Sequence, residues 1–317
     1  MPRLAVLGQP VAHSRSPAMQ NAALEELGLA PEWAYEAIEV SPNDFEDRVR
    51  AMPGEGFAGA NVTIPHKLAA LAVADEASEA AKEIGAANTL AFTEGRIAAK
   101  NTDATGILDA LAPCMEPVHI RRREKGEPRG DGGAAGWLAG TRALVLGAGG
   151  SARAAVWALK QGGAEVSIWN RTAEKAAALA RELNALSVAL NDSENLPLED
   201  FNIVLNATSV GLEGGKRTND RLGADPDSGH SDLKALRLDA DSLSTTQVVV
   251  DLVYGAAETQ LAAAARSRGA RVVDGLEILV HQGAASLRLW TGLEPPVETM
   301  RRAARDIEWP SKTAPDT

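Results

Sequence analysis

At 317 residues, with 45% hydrophobic and 24% charged side chains, the chain is long enough for two domains with substantial cores. A formal charge of −11 argues against a general nucleic-acid or membrane-surface role, while leaving room for a local anion pocket. Cys114 is the only cysteine, which excludes an intramolecular disulfide and a cysteine-based zinc site.

Residues 1–8 are too short in apolar side chains for a secretory signal, and no run reaches the roughly 18 apolar residues of a membrane span. A cytoplasmic soluble protein without a metal site is the expectation. Residues 4–7 read as a buried strand, followed by the turn Gly8-Gln9-Pro10. Ser16 is placed to cap a helix, with Pro17 in its first turn and residues 18–27 as its body. Residues 33–40 alternate like a strand, 44–52 look helical, and 59–64 form another strand. That strand runs into Asn61-Val62-Thr63-Ile64-Pro65-His66-Lys67. Val62 and Ile64 should share one face, and the proline ends the strand, leaving Asn61, Thr63 and Lys67 to converge beyond it. Small ligands bind at strand ends in α/β sheets.

Residues 68–84 read as one alanine-rich helical stretch, and 88–92 as a strand. Residues 96–100 lead into a second polar cluster, Asn101-Thr102-Asp103, where a carboxylate would hold a neighbouring lysine in place. A helix over 102–111 then leaves the first domain. Residues 116–140, with Arg121-Arg122-Arg123 and Lys125 before a glycine-rich run, read as a solvated linker. Residues 212–246 read as a second polar loop. After Val272-Val273-Asp274-Gly275 the pattern becomes long amphipathic helices through Ile307.

The middle of the chain carries a cofactor signal. An apolar strand at 142–146 meets Gly147-Ala148-Gly149-Gly150-Ser151-Ala152, then a helix at 153–161 and a strand at 165–169. Glycines permit a tight turn and close approach of phosphate to backbone amides, and a helix N-terminus favours negative charge. An acidic residue after the second strand would select NAD through the ribose hydroxyl. Here Asn170-Arg171-Thr172 stands instead, with Lys175 one turn onward. Arginine bonds a 2′-phosphate that a carboxylate would repel, so the reading is NADP (NADPH). Two later strand ends, Asn206-Ala207-Thr208-Ser209 and Asp251-Leu252-Val253-Tyr254, would face the nicotinamide end.

These segments, in this order, resemble the shikimate dehydrogenase family over nearly the whole chain. The resemblance is carried by Gly8-Gln9-Pro10, His13-Ser14-Arg15-Ser16-Pro17 and Asn21, then residues 61–67, Gly85-Ala86-Ala87-Asn88-Thr89 and Asn101-Thr102-Asp103-Ala104-Thr105-Gly106. It closes with Asp274-Gly275-Leu276 and Val280-His281-Gln282-Gly283. It implies an α/β fold of two domains separated by a cleft. An N-terminal substrate-binding domain, 1–112, would be completed by C-terminal helices at 276–317, with a Rossmann domain at 113–275.

The implied activity is reversible, NADP-dependent reduction of 3-dehydroshikimate to shikimate, in aromatic amino-acid biosynthesis, with Lys67 and Asp103 as the catalytic pair. Ser14, Ser16, Asn61, Thr63, Asn88 and Gln282 match substrate-binding positions, with Tyr254 an addition. Leu252 and Gly275 join residues 147–152, Asn170, Arg171, Thr172, Lys175, Asn206, Thr208 and Ser209 on the cofactor side. The resemblance implies a monomer or homodimer acting on a small molecule, without nucleic-acid or membrane partners. The chain departs from the family at Tyr254-Gly255-Ala256, at Ile278 and in its long 116–140 segment. Two alternatives stand beside this reading. One is dual use of quinate, for which the serines at 14 and 16 are sensitive discriminators; the other is a non-catalytic NADP/shikimate sensor, disfavoured by the presence of both Lys67 and Asp103.

Overall fold

The computed structural model describes residues 2–115, 136–191, 194–212, 231–255 and 257–306. It divides into two compact units, Met1–Thr102 with Leu279–Thr317, and Asp103–Ile278. The motifs alone suggested divisions near 112 and 276. Helix α5 (Asp103–Leu111) instead packs against a helix of the second unit and is counted with it.

The first unit is built on a six-stranded mixed sheet of β1 (Arg3–Gly8), β2 (Ala34–Glu39), β3 (Phe57–Val62), β4 (Glu76–Ala77), β5 (Thr89–Thr93) and β6 (Arg96–Lys100). The strand order is β2-β1-β3-β5-β6-β4. β1 runs parallel to β2 and β3, and β5 is antiparallel to both β3 and β6. The two-residue period of β1 serves both faces. Leu4 and Val6 join one core with Met19 and Leu24 of α1 (Ser16–Glu26), while Ala5 and Leu7 enter the other. That second core also holds Phe45 and Val49 of α2 (Phe45–Ala51), and Ala70 and Val73 of α3 (Lys67–Val73).

Three local expectations change. The helical stretch at 68–84 is broken into α3, β4 and α4 (Glu79–Ile84). Residues 75–78 are drawn onto the sheet: the Asp75 and Ser78 amides donate to the Ile97 and Ala99 carbonyls, and the Asp75 carboxylate accepts from the Ile97 amide at 2.8 Å. Ser78 then caps α4 by accepting from the Ala81 amide. Ser16 is the first helical residue rather than the cap, which is Arg15, and its own amide donates to Ser14 Oγ at 3.3 Å. β3 stops at Val62, so Val62 is buried while Ile64 is 52% exposed instead of sharing its face.

The second unit carries a six-stranded, wholly parallel sheet. Its strands are β7 (Arg142–Leu146), β8 (Glu165–Trp169), β9 (Leu186–Ser187), β10 (Ile203–Asn206), β11 (Val248–Asp251) and β12 (Arg271–Val273), in the order β12-β11-β10-β7-β8-β9. Counted from β7, that is the 3-2-1-4-5-6 order of a doubly wound dinucleotide fold, which reverses direction between β7 and β10. The helices between them are α6 (Gly150–Gln161), α7 (Ala173–Glu182), α8 (Ser231–Ala235) and α9 (Gln260–Ser267). The segment expected as a polar loop at 212–246 is described at 212 and from 231 onward, and from 231 it is structural. It places Leu233, Leu236, Leu238 and Leu243 in the core against Leu144 and Val249. Residues 116–135, the basic run among them, lie outside the described residues.

Helices α10 (Gly275–Thr291) and α11 (Val297–Arg305) end the described chain, with Ile307 beyond it. From residue 279 onward they belong to the first unit, where Val280, Leu287 and Met300 complete the core around Leu4.

Candidate active site

In the first unit the polar residues singled out by motif are held by strand ends and helix starts. Lys67 is the first residue of α3 and half-buried. The turn before it is fixed by the Thr63 amide donating to the Leu7 carbonyl at 2.8 Å and the His66 amide to the Thr63 carbonyl at 2.9 Å. The His66 ring is buried, stacks on Phe45 at 4.5 Å between centroids and meets the Val40 carbonyl through Nε2 at 2.8 Å. The histidine is thus a structural anchor beside the lysine. Ser14 sits on the turn leading into α1 and Ser16 is its first residue; buried Arg15 between them donates to the Ala304 carbonyl at 2.7 Å, in the last turn of α11. Cationic donors suit those orphan carbonyls.

Ala87 and Asn88 connect the two polar clusters. The Ala87 amide donates to the Lys67 carbonyl at 2.8 Å. The Asn88 amide donates to the Lys100 carbonyl, and Asn88 Oδ1 accepts from the Thr102 amide at 2.6 Å. The segments carrying Lys67 and leading to Asp103 are therefore held by adjacent residues. Asp103 is half-buried at the start of α5.

Behind these lies a buried polar network. Asn61 Nδ2 donates toward Ser286 Oγ at 2.9 Å and Thr89 Oγ1 at 3.1 Å, and its Oδ1 accepts from the Tyr35 hydroxyl at 2.8 Å. Asn88 Nδ2 donates to Thr102 Oγ1 at 3.0 Å and to Gln282 Oε1 at 3.2 Å. Asn61, Asn88 and Gln282 are thus brought together. Tyr35, Thr89, Thr102 and Ser286 were not assigned from sequence. Ser286 had one usable signal, its four-residue spacing from Gln282 on an otherwise apolar helix face. A buried amide left without such partners costs about 1–3 kcal/mol, so the cluster is held as a set.

In the second unit the glycine turn lies at the end of β7. Gly147 has φ +112°, and a Cβ there would meet the Ala207 carbonyl at 3.0 Å, across the switch between β7 and β10. A Cβ on exposed Gly149, by contrast, would meet nothing within 4 Å, so space is open where the backbone enters α6. Ala148, Gly150 and Ser151 are half-buried there, and Ala152 is buried beneath them. Beyond β8, Asn170 turns its amide onto the Thr172 carbonyl at 3.0 Å, and Arg171, Thr172 and Lys175 are exposed. The residues directly after β8 thus present Arg171 where a carboxylate would select NAD, with Glu174 and Lys175 following in the first turn of α7. An open helix start for a pyrophosphate, with cations for a further phosphate, fits NADP.

Asn206 organises the next strand end: its Oδ1 accepts from the Thr208 amide and hydroxyl at 3.1 and 2.7 Å, and its Nδ2 donates to Asp251 Oδ1 at 2.9 Å. Ser209 is exposed, and Leu252 and Tyr254 are half-buried. The Leu252 amide donates to the Asn206 carbonyl at 3.0 Å. Gly275 passes so close to this segment that a Cβ would lie 2.7 Å from the Leu252 carbonyl oxygen. Ala256 lies outside the described residues.

Asp251, 1% exposed, also accepts from the Thr259 hydroxyl at 2.5 Å and the Val253 amide at 3.1 Å. Burial raises its carboxyl pKa, with Asp232 adding to the rise and the donors from Thr259, Val253 and Asn206 opposing it. The folded chain therefore binds this proton more tightly than the unfolded chain. Stability tied to the protonated form is complete below the ordinary value of 3.8 and is lost as pH rises through the raised value. Asp251→Asn is expected to lack that decline, so its Tm should gain on the wild type as pH climbs through this window. A Tm difference that stays constant with pH would show that this carboxyl does not titrate there.

Family models match three segments: the shikimate dehydrogenase substrate binding domain at 6–90, shikimate / quinate 5-dehydrogenase at 134–212, and the shikimate 5′-dehydrogenase C-terminal domain at 275–305. The NADP(+) shikimate dehydrogenase of Methanocella arvoryzae is 41% identical, over 95% of this chain and 97% of its own length. The chain belongs to the shikimate dehydrogenase family. A shikimate dehydrogenase (NADP(+)) of Thermus thermophilus is also 41% identical, over 96% of this chain and 98% of the relative. A shikimate 5-dehydrogenase of the same species, solved with NADP(H) and shikimate, superposes with a TM-score of 0.76 at 40% identity, covering 96% of this chain and 99% of that one. Among the described residues no helix is long and apolar enough to cross a membrane, and no cluster of three or more His, Cys, Asp or Glu side chains could hold a metal.

Proposed function

We propose that this chain is an NADP-dependent dehydrogenase that reversibly reduces 3-dehydroshikimate to shikimate. The observation that carries the reading is the pairing of two constellations in a member of this family. One is a hydroxyl-and-amide set around Asn88 beside Lys67, and the other is an open glycine turn with Arg171 at the neighbouring strand end. We assign substrate binding to the first unit, through Ser14, Ser16, Asn61, Thr63, Asn88 and Gln282, with Tyr254 of the second unit added. Neutral hydroxyls and amides suit a polyhydroxylated ring, because each ring hydroxyl needs both donors and acceptors.

Cofactor binding falls to residues 147–152 and to Asn170, Arg171, Thr172 and Lys175. Asn206, Thr208, Ser209, Leu252 and Gly275 line its nicotinamide end. NADPH, when bound, supplies the hydride. Lys67 Nζ donates the proton that the ketone oxygen requires as it becomes an alkoxide, and Asp103 orients the lysine and hydrogen-bonds the same substrate hydroxyl. The proton returns to Lys67 in the oxidative direction.

The deciding experiment compares NADPH oxidation with 3-dehydroshikimate and with 3-dehydroquinate. A kcat/KM clearly in favour of 3-dehydroshikimate is expected. Comparable values would make it a dual shikimate/quinate enzyme, and no turnover of either would leave a binding protein. We assign the enzyme to the cytoplasm, and its net charge of −11 supports a role that engages neither nucleic acid nor membrane surface. A mass of one or two chains of 33.2 kDa each is expected by light scattering, and a larger assembly would contradict it.

A further inference from the structure

We propose that Ser286 is a positioning residue for the substrate site, acting through Asn61, Asn88 and Gln282; the inference rests on the substrate assignment above. Ser286 is 0% exposed, so it does not reach a ligand itself. Its hydroxyl is a point where α10 meets β3, β5 and the segment after β6 together. Its oxygen lies 2.9 Å from Asn61 Nδ2, 2.9 Å from Thr89 Oγ1 and 3.0 Å from Thr102 Oγ1, and its proton goes to the Gln282 carbonyl at 3.0 Å.

Counting protons shows what this hub determines. The Tyr35 phenol must donate to Asn61 Oδ1, which orients that amide and turns Nδ2 toward Ser286. The Thr102 backbone amide must donate to Asn88 Oδ1, so Asn88 Nδ2 faces Gln282 Oε1. The side-chain carbonyl oxygen of Gln282 is thereby occupied within the protein. One Nε2 proton of Gln282 goes to the Leu279 carbonyl at 2.9 Å, so the amide is held at both its oxygen and its nitrogen. Its place depends on the register of α10 against the sheet, which the Ser286 hydroxyl fixes one turn along the helix. An alanine there removes the nearest of the acceptors around Asn61 Nδ2 and the anchor of that turn, while leaving every proposed substrate-contacting side chain present.

The test measures KM for shikimate and for NADP, kcat and Tm in wild type, Ser286→Ala, Ser286→Thr, Gln282→Ala and the Ser286→Ala/Gln282→Ala double variant. Losing one neutral hydrogen bond from the positioning set is expected to raise the shikimate KM about five- to tenfold in Ser286→Ala. The NADP KM should stay within about twofold, kcat should move less than the shikimate KM, and Ser286→Thr should restore most of the loss. In the Gln282→Ala background, Ser286→Ala should add less than it does alone, because one of the residues it positions is gone. An unchanged shikimate KM, equal rises for both ligands, or full additivity with Gln282→Ala would overturn the inference, whatever the Tm. Should Ser286→Ala fail to fold, Thr89→Val removes the neighbouring hydroxyl at similar volume and carries the same expectations. A wild type that does not turn over shikimate overturns the substrate assignment and this inference with it; an active wild type with a normal Ser286→Ala overturns the inference alone.

Discussion

Lys67→Ala is expected to lower kcat by roughly 10²–10⁴-fold, the usual worth of a positioned general acid or base, with a much smaller change in the shikimate KM. The ketone oxygen acquires negative charge only as the carbon–hydrogen bond forms. An ammonium that neutralises it therefore acts mainly on the transition state, and its loss falls on turnover. The variant should fold normally. The backbone carbonyl of Lys67, which accepts from the Ala87 amide, survives the substitution. Its immediate support, His66 on Phe45 and Val40, is untouched. Asp103→Asn should likewise keep the fold and lose most of the rate, because an amide holds a cation far less firmly than a carboxylate does. Steady-state kinetics in both directions, with circular dichroism as the folding control, decide the matter. Near-normal turnover of Lys67→Ala would remove the lysine from the mechanism and move the proton to Asp103 or a bound water.

Arg171→Asp should weaken NADPH by roughly 10- to 100-fold or more while leaving NADH nearly unchanged, since a charge-assisted bond is replaced by repulsion of the 2′-phosphate. Arg171 is exposed just before α7, with Glu174 and Lys175 in the first turn of that helix. Because the site is open to solvent, the wild-type preference for NADPH should shrink as salt rises, and the variant should show little of that dependence. Titration of each dinucleotide by quenching of protein fluorescence measures both effects. Equal losses for NADPH and NADH would show that Arg171 does not read the phosphate.

Much of this protein was determined by local sequence. The apolar run before Gly147 and the glycines after it made the strand, turn and helix of the cofactor site, since a short run bounded by residues free to take positive φ has few other conformations. Asn170-Arg171 in place of an acidic residue pointed to the phosphate-bearing dinucleotide before any fold was known, because charge is a property of the residue itself. The order of polar clusters identified the family for the same reason. Tertiary structure decided the rest. Residues 68–84 carry a helical pattern, yet β6 drew 75–78 into the sheet, where inter-strand hydrogen bonds outweigh a weak propensity. Residues 231–246 looked polar, but four leucines among them found a core that only the assembled parallel sheet supplies. Gln282 meets Asn88 across 194 positions of sequence, and Ser286 meets Asn61 across 225. No local pattern encodes those pairs: they exist because folding brings α10 back onto the first sheet, where buried polar groups must find partners or cost the fold its stability.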